Sequence, residues 1–227
     1  MPTILITGCS RGIGLELARH YAAEGWRVIA TCRAPDRATD LQGLGGDIAV
    51  HALDVTDGGA VTALAGELAD TPIDVLFSNA GQLGHREAQG FGDLDYDAWR
   101  AEIEVNLIAP VRLCEAFIDR VAASAQKKIA VVSTVLASLT DAGGGLYPYR
   151  TSKAGLNMAV RAMANDLAPR GVSVTAFHPG WVSSDMGGDA APVTPTEAAV
   201  GMATVLAAGK ADDGSRFLRY DDSEIPW

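Results

Sequence analysis

Residues 7–14 read TGCSRGIG, and the glycines at positions 8, 12 and 14 follow a short β-rich run, Thr3–Thr7. Beyond them the apolar residues Ile13, Leu17 and Tyr21 recur at helical spacing, closed by Gly25. The stretch therefore predicts a strand, a tight turn and a helix. Glycine lets a backbone turn sharply and come close to a ligand, and a helix N-terminus offers unpaired N–H groups to a phosphate. Gly8, Ser10, Arg11, Gly12, Ile13 and Gly14 are thus the candidate phosphate contacts. The spacing is G-x-x-x-G-x-G and departs from the common G-x-G-x-x-G dinucleotide fingerprint. The same letters fit G-x-S-x-G, the turn that presents a nucleophilic serine, here Ser10. That reading is disfavoured: the motif follows the very first strand, no His-Gly-Gly-Gly segment precedes it, and Gly14 has no part in it.

The end of the second predicted strand, Arg27–Cys32, bears on the nucleotide. A carboxylate there accepts the ribose hydroxyls of NAD and repels the extra phosphate of NADP. Here the run is Thr31-Cys32-Arg33, without an acid, and Arg11 lies in the glycine turn. Two guanidinium groups suit forked bonds to a phosphate, so NADPH is expected in preference to NADH.

The rest of the chain continues the alternation. Further strands are expected at 48–53, 75–78, 129–133 and 173–178, with helical spacing over about 96–121 and 150–168. Strands alternating with helices predict an α/β fold with a doubly wound parallel sheet covered on both faces, as one domain over residues 1–227. Glycine-rich polar stretches at 82–92 and 183–196 are read as long loops. The net charge of −10 argues against a nucleic-acid groove or an anionic membrane surface, and no apolar run is long enough to span a bilayer. Three widely spaced cysteines give neither a disulfide framework nor zinc ligands, and four histidines show no metal spacing. A cytoplasmic location is expected, because no leader segment is visible.

Six signatures in order resemble the short-chain dehydrogenase/reductase family: Thr7-Gly8-x-x-x-Gly12-Ile13-Gly14, Asp54-Val55, Asn79-Ala80-Gly81, Asn106 in EVNLIAP, Tyr149-x-x-x-Lys153, and Pro179-Gly180. YRTSKAGLN, HPGWVSSDMGG and the closing SEIPW are similar to the branch holding the C-factor signalling protein and sniffer-type carbonyl reductases. The resemblance implies a Rossmann-type fold. It also implies adenine contacts from Asp54 and Val55, a cofactor wall from Asn79, Ala80 and Gly81, and nicotinamide contacts from Pro179, Gly180, Val182 and Ser184. Assembly as a homodimer or homotetramer through the helices carrying Asn106 and Tyr149 is implied in the same way.

Residues four apart share a helix face, so Tyr149 pairs with Lys153 whereas Tyr147, six away, does not. A nearby ammonium favours phenolate and lowers the tyrosine pKa from about 10, which suits proton exchange with a carbonyl oxygen. Tyr149 and Lys153 are accordingly catalytic candidates, and the resemblance makes both cofactor-binding candidates as well. The family implies that Lys153 also binds the nicotinamide ribose and that Asn106 holds a water in a relay to it; Asn106 alternatively bonds only to backbone. Relatives read Ser-Ser after the fifth strand where this chain has Ser133-Thr134. Thr134 is the first candidate to orient the substrate oxygen and Ser138 the second. The expected function is NADPH-dependent interconversion of a small-molecule ketone or aldehyde with its alcohol. The alternative is a cofactor-binding signalling protein with little or no turnover.

Overall fold

Thr3–Thr7 is buried from end to end, and alternate residues pack on opposite faces: Ile4 and Ile6 on one, Leu5 on the other. Such two-sided burial belongs to the interior of a parallel sheet. This strand, β1, lies in the interior of the sheet in the computed structural model, which describes residues 1–84, 89–209 and 214–227. The others are β2 (Arg27–Cys32), β3 (Ile48–Ala52), β4 (Val75–Ser78), β5 (Lys128–Val132), β6 (Ser173–His178) and β7 (Ser215–Arg219). They form one parallel sheet in the order β3-β2-β1-β4-β5-β6-β7. The chain runs outward to β3, then crosses back so that β4 pairs with β1, Ile4 opposite Val75. Ligands of open α/β sheets bind beside such a switch point, at the carboxyl ends of the strands.

Helices cover both faces. On one, α1 (Gly12–Ala23), the short α2 (Thr39–Gln42) and α7 (Pro195–Ala208) pack against Ile4, Ile6, Val28 and Phe77. On the other, α3 (Gly58–Glu67), α5 (Ala109–Ala122) and α6 (Tyr147–Leu167) enclose Leu5, Ile29 and Leu76. Helix α4 (Tyr96–Ile103) joins α5 through one π-helical stretch, Glu104–Ile108, in which Ala109 N–H reaches back to the Glu104 carbonyl. Pro110, without an N–H, cannot close the ordinary bond to the Asn106 carbonyl. A π-bulge at that point absorbs the irregularity, and such bulges gather at functional sites.

Several boundaries depart from the sequence reading. The fifth strand starts one residue earlier, at Lys128, and ends at Val132; the third stops at Ala52. Helix α6 begins at Tyr147, three residues before the expected start, and is followed by a 3-10 turn at Ala168–Arg170. The 183–196 loop is shorter than read, because Thr194 caps α7. Helices α2, α3 and α7 and strand β7 were not singled out from sequence. Of the 82–92 loop, residues 85–88 lie outside the described residues. Among the described residues no helix is long and apolar enough to cross a membrane, and no cluster of His, Cys, Asp and Glu could hold a metal ion.

Candidate active site

The turn after β1 is built for close approach. Gly8 adopts φ +74°, and its carbonyl lies where a side chain on Gly14 would have to go. A Cβ on Gly14 would also stand 2.6 Å from Asn79 Nδ2. That amide donates to the Thr7 carbonyl at 2.9 Å and the Gly8 carbonyl at 3.3 Å, while the Asn79 and Ala80 N–H groups both donate to Thr7 Oγ1 at 3.1 Å. Asn79 therefore ties β4 to β1 across the switch point. Arg11, at the N-cap of α1, is extended and offers no capping side-chain bond, nor does an acid stand in the first turn. The open helix end and the glycine cradle fit a dinucleotide phosphate. Ser10 is exposed in this turn.

Arg11 forms an ion pair with Asp185 at 3.0 Å, so the glycine turn and the loop after β6 are linked across the cleft. Both side chains are about three-quarters exposed, at 73% and 74%, and a pair so solvated is weak enough for a phosphate to displace. Arg33 is exposed just beyond β2 and Asp54 just beyond β3. Bonds from Thr56 Oγ1 and N–H hold the Asp54 carboxyl below the ordinary carboxylate range, with a smaller contribution from Arg33. Val55 is half-buried against the second core cluster.

Tyr149 and Lys153 lie one turn apart in the first half of α6, so the sequence-predicted pair does share a helix face. Tyr149 is half-buried. Lys153 is 3% exposed, and its Nζ donates to the Val132 carbonyl at 2.8 Å, at the very end of β5. Burial pushes the ammonium pKa down to about 8, against the opposing pull of Glu102. Gly81 lies over the same spot: a Cβ there would be 3.1 Å from Asn106 Oδ1 and 3.4 Å from Lys153 Nζ. Asn106 accepts from Gln82 N–H at 2.9 Å and donates to the Gln82 carbonyl at 2.8 Å and to Ser152 Oγ at 3.1 Å. It thus bonds to backbone of another segment while standing beside the lysine.

Three hydroxyls follow β5. Ser133 Oγ donates to Asn157 Oδ1 at 2.6 Å, which uses it structurally. Thr134 Oγ1 accepts from Leu136 N–H at 3.3 Å, leaving its own proton to give. Ser138 is 2% exposed, and its Oγ has no hydrogen-bond partner among the described residues. Tyr147, half-buried, packs against exposed Phe91, their ring centroids 6.1 Å apart, which puts it on the rim. Pro179 and Gly180 follow β6; Gly180 has φ +87° and abuts Tyr220 and Val193. Val182 bridges to Val193, and Ser184 Oγ lies 3.4 Å from the Val182 carbonyl and accepts from Gly187 N–H at 3.2 Å.

Two participants escaped the sequence reading. Glu102 is 1% exposed, with Oε1 accepting from Gly84 N–H at 2.8 Å and from Gln89 Nε2 at 2.7 Å. Gln89 in turn accepts the Tyr147 N–H on its carbonyl at 3.1 Å and the Tyr149 N–H on Oε1 at 3.4 Å, which caps α6 from a distant segment. The signal for Glu102 was its place four residues before Asn106, on the same side of the helix. Gln89 carried no comparable signal.

A parallel sheet with a glycine turn at its switch point and a Tyr–Lys pair one helical turn apart, its lysine bonded to the end of β5, defines a nucleotide-dependent dehydrogenase class. The sequence pattern of short chain dehydrogenases matches residues 2–193, and the chain belongs to that family. Among curated relatives, the C-signal of Myxococcus xanthus is 37% identical over 166 residues, covering 73% of this chain and 99% of the relative. The 1-hydroxy-2-glutathionyl-2-methyl-3-butene dehydrogenase of Rhodococcus sp. (strain AD45) is 34% identical over 235 residues and 100% of both chains. Among solved structures, the carbonyl reductase Sniffer of D. melanogaster superposes with a TM-score of 0.92 at 28% identity, covering 100% of both chains. An NADPH-bound carbonyl reductase from chicken fatty liver gives 0.91 at 31% identity, covering 100% of this chain and 99% of the other.

Proposed function

We propose that this short-chain dehydrogenase is an NADPH-dependent carbonyl reductase, one domain over residues 1–227, interconverting a ketone or aldehyde with its alcohol. The observation that carries the reading is the buried Lys153 amine one helical turn from Tyr149, beside Asn106 and Gly81 at the strand ends. Bound NADPH supplies the hydride. Gly8, Gly12 and the open N-terminus of α1 hold its pyrophosphate, Arg11 and Arg33 the additional phosphate, and Asp54 the adenine edge. The NADPH carried by the chicken reductase supports that preference.

Tyr149 holds a proton at Oη and passes it to the carbonyl oxygen as the carbon is reduced. The Lys153 charge lowers the energy of the phenolate left behind. Thr134, or Ser138, whose hydroxyl has no partner among the described residues, donates a hydrogen bond that orients the oxygen. Exposed Phe91, Leu139, Trp181 and Met186 follow the ends of β4, β5 and β6 and suit an apolar substrate body. Exposed Ile108 and Met158, near Asn106 and on the helix of Tyr149, support pairing of copies through those helices.

NADPH consumption with a panel of ketones and aldehydes tests the reading. Tyr149→Phe is expected to lower kcat by a factor of about 100 or more while leaving NADPH affinity within about threefold. Single Thr134→Val and Ser138→Ala variants identify the orienting hydroxyl by the larger loss. NADPH binding without turnover on any carbonyl favours instead the signalling reading that the C-signal likeness supports.

A further inference from the structure

The buried carboxylate of Glu102 has no part in the reaction just described, yet the structure spends two of its scarcest resources there. Its Oε1 takes both the Gly84 N–H and the Gln89 amide, and its Oε2 is buried without a partner among the described residues. A carboxylate so enclosed is costly unless a charge faces it. Residue 84 is committed to the contact, because a Cβ on Gly84 would lie 2.5 Å from Glu102 Oε1.

The strip from Gly81 to Gly84 runs along one side of α4 and the π stretch: Gly81 over Lys153 Nζ, Gln82 on Asn106, Gly84 on Glu102. From the other side, Gln89 connects Glu102 to the Tyr149 N–H. Glu102 therefore stands between the segments that position the amine and the phenol. We propose that Glu102 is a positioning residue of the reaction, its buried carboxylate serving as the counter-charge of Lys153 while it fastens the loop after β4 to the head of α6. This rests on the reading of Tyr149 and Lys153 given above.

The electrostatics agree with the geometry. Burial pushes the Glu102 carboxyl above the ordinary carboxylate range, and the Gly84 N–H and the Lys153 charge pull it back. Burial lowers Lys153 to about 8, and Glu102 resists. Other charged groups nearby are engaged elsewhere: Glu104 with Arg112 at 2.9 Å, Asp97 with Arg100 at 2.6 Å, and Arg150 Nη1 with the Leu136 carbonyl at 3.2 Å. Among the described residues Tyr149 is a further titratable neighbour; His85, Arg86 and Glu87 lie outside them.

The chain has four lysines, so 13C-lysine labelling isolates Lys153, assigned by its loss in Lys153→Met. In the wild type its ε-carbon signal is expected to titrate near pH 8. In Glu102→Gln, which keeps an acceptor for Gly84 but loses the charge, it should titrate about one pH unit lower. The alkaline limb of the carbonyl-reduction profile should move down by the same amount, and Glu102→Asp should restore both to within about half of that shift. An unmoved Lys153 signal, or an unmoved alkaline limb, overturns the proposal. Should Glu102→Gln not fold, the wild type still decides. Its Lys153 signal must shift a second time, by less, when Glu102 takes up a proton in acid, and a flat trace there overturns the counter-charge. If the signal behaves as stated but no carbonyl is reduced by any form, the counter-charge stands and the reductase reading falls.

Discussion

Lys153 carries a charge where charge is expensive. Its folded pKa is down to about 8 from 10.5 because burial disfavours the ammonium. Between those values the unfolded chain binds the extra proton, so the penalty is complete below about pH 8 and fades as the pH climbs towards 10.5. Its size is on the order of 3 kcal/mol. Such a cost survives where function requires it. Lys153→Met is therefore expected to be more stable than the wild type near pH 7, but by less than that full cost, because the Glu102 carboxylate then loses its counter-charge. The gain should shrink near pH 10, where the wild type has shed its charge. Urea melts at the two pH values measure it. A variant weaker than wild type at both would mean that the Val132 bond outweighs the buried charge.

At the level of elements, a glycine's effect depends on what stands beside it. Gly14 has the Gly8 carbonyl and Asn79 Nδ2 where a side chain would go, so Gly14→Ala must push α1 off the turn that joins β1 and β4. Gly66, exposed inside α3, has nothing within 4 Å of a prospective Cβ. Gly66→Ala should raise stability by about 0.5–1 kcal/mol, whereas Gly14→Ala should lower it and weaken NADPH binding at least about tenfold. Thermal melts and fluorescence titration with NADPH check both. The glycine turn was legible because its chemistry is local. So was the cap of α7, where Thr194 and Glu197 form a reciprocal capping box behind Pro195, although the loop was read through it. The start of β5 was hidden because Lys128 does not look like a core residue. Its stem is buried and its ammonium closes α7 by bonding the Leu206 and Ala207 carbonyls at 2.6 and 3.3 Å. The early start of α6 could not be read locally, since the acceptors for its first N–H groups come from Gln89, some sixty residues away.

For the molecule as a whole, the parallel sheet and the two-sided core followed from the alternation of elements, while its response to acid depends on contacts that only the fold creates. His178 ends β6, with β5 and β7 on either side, and is 8% exposed with no partner for Nδ1 among the described residues. Burial, with the Arg219 charge adding to it and Asp221 opposing, pushes its pKa down to about 4 from 6.5. The unfolded chain therefore binds a proton that the folded one refuses. Stability is unaffected by this group above about pH 6.5 and falls through the window down to about 4, by on the order of 3 kcal/mol. His178→Gln, neutral at every pH, removes that slope without adding a charge. Its urea-melt stability should match wild type within about 1 kcal/mol near pH 7.5 and exceed it by about 2 kcal/mol near pH 4.5. Parallel decline of the two proteins across the window would place the acid sensitivity in the carboxylates instead, with Glu102 excluded as its source because a carboxyl raised by burial gains its proton more readily when folded than unfolded.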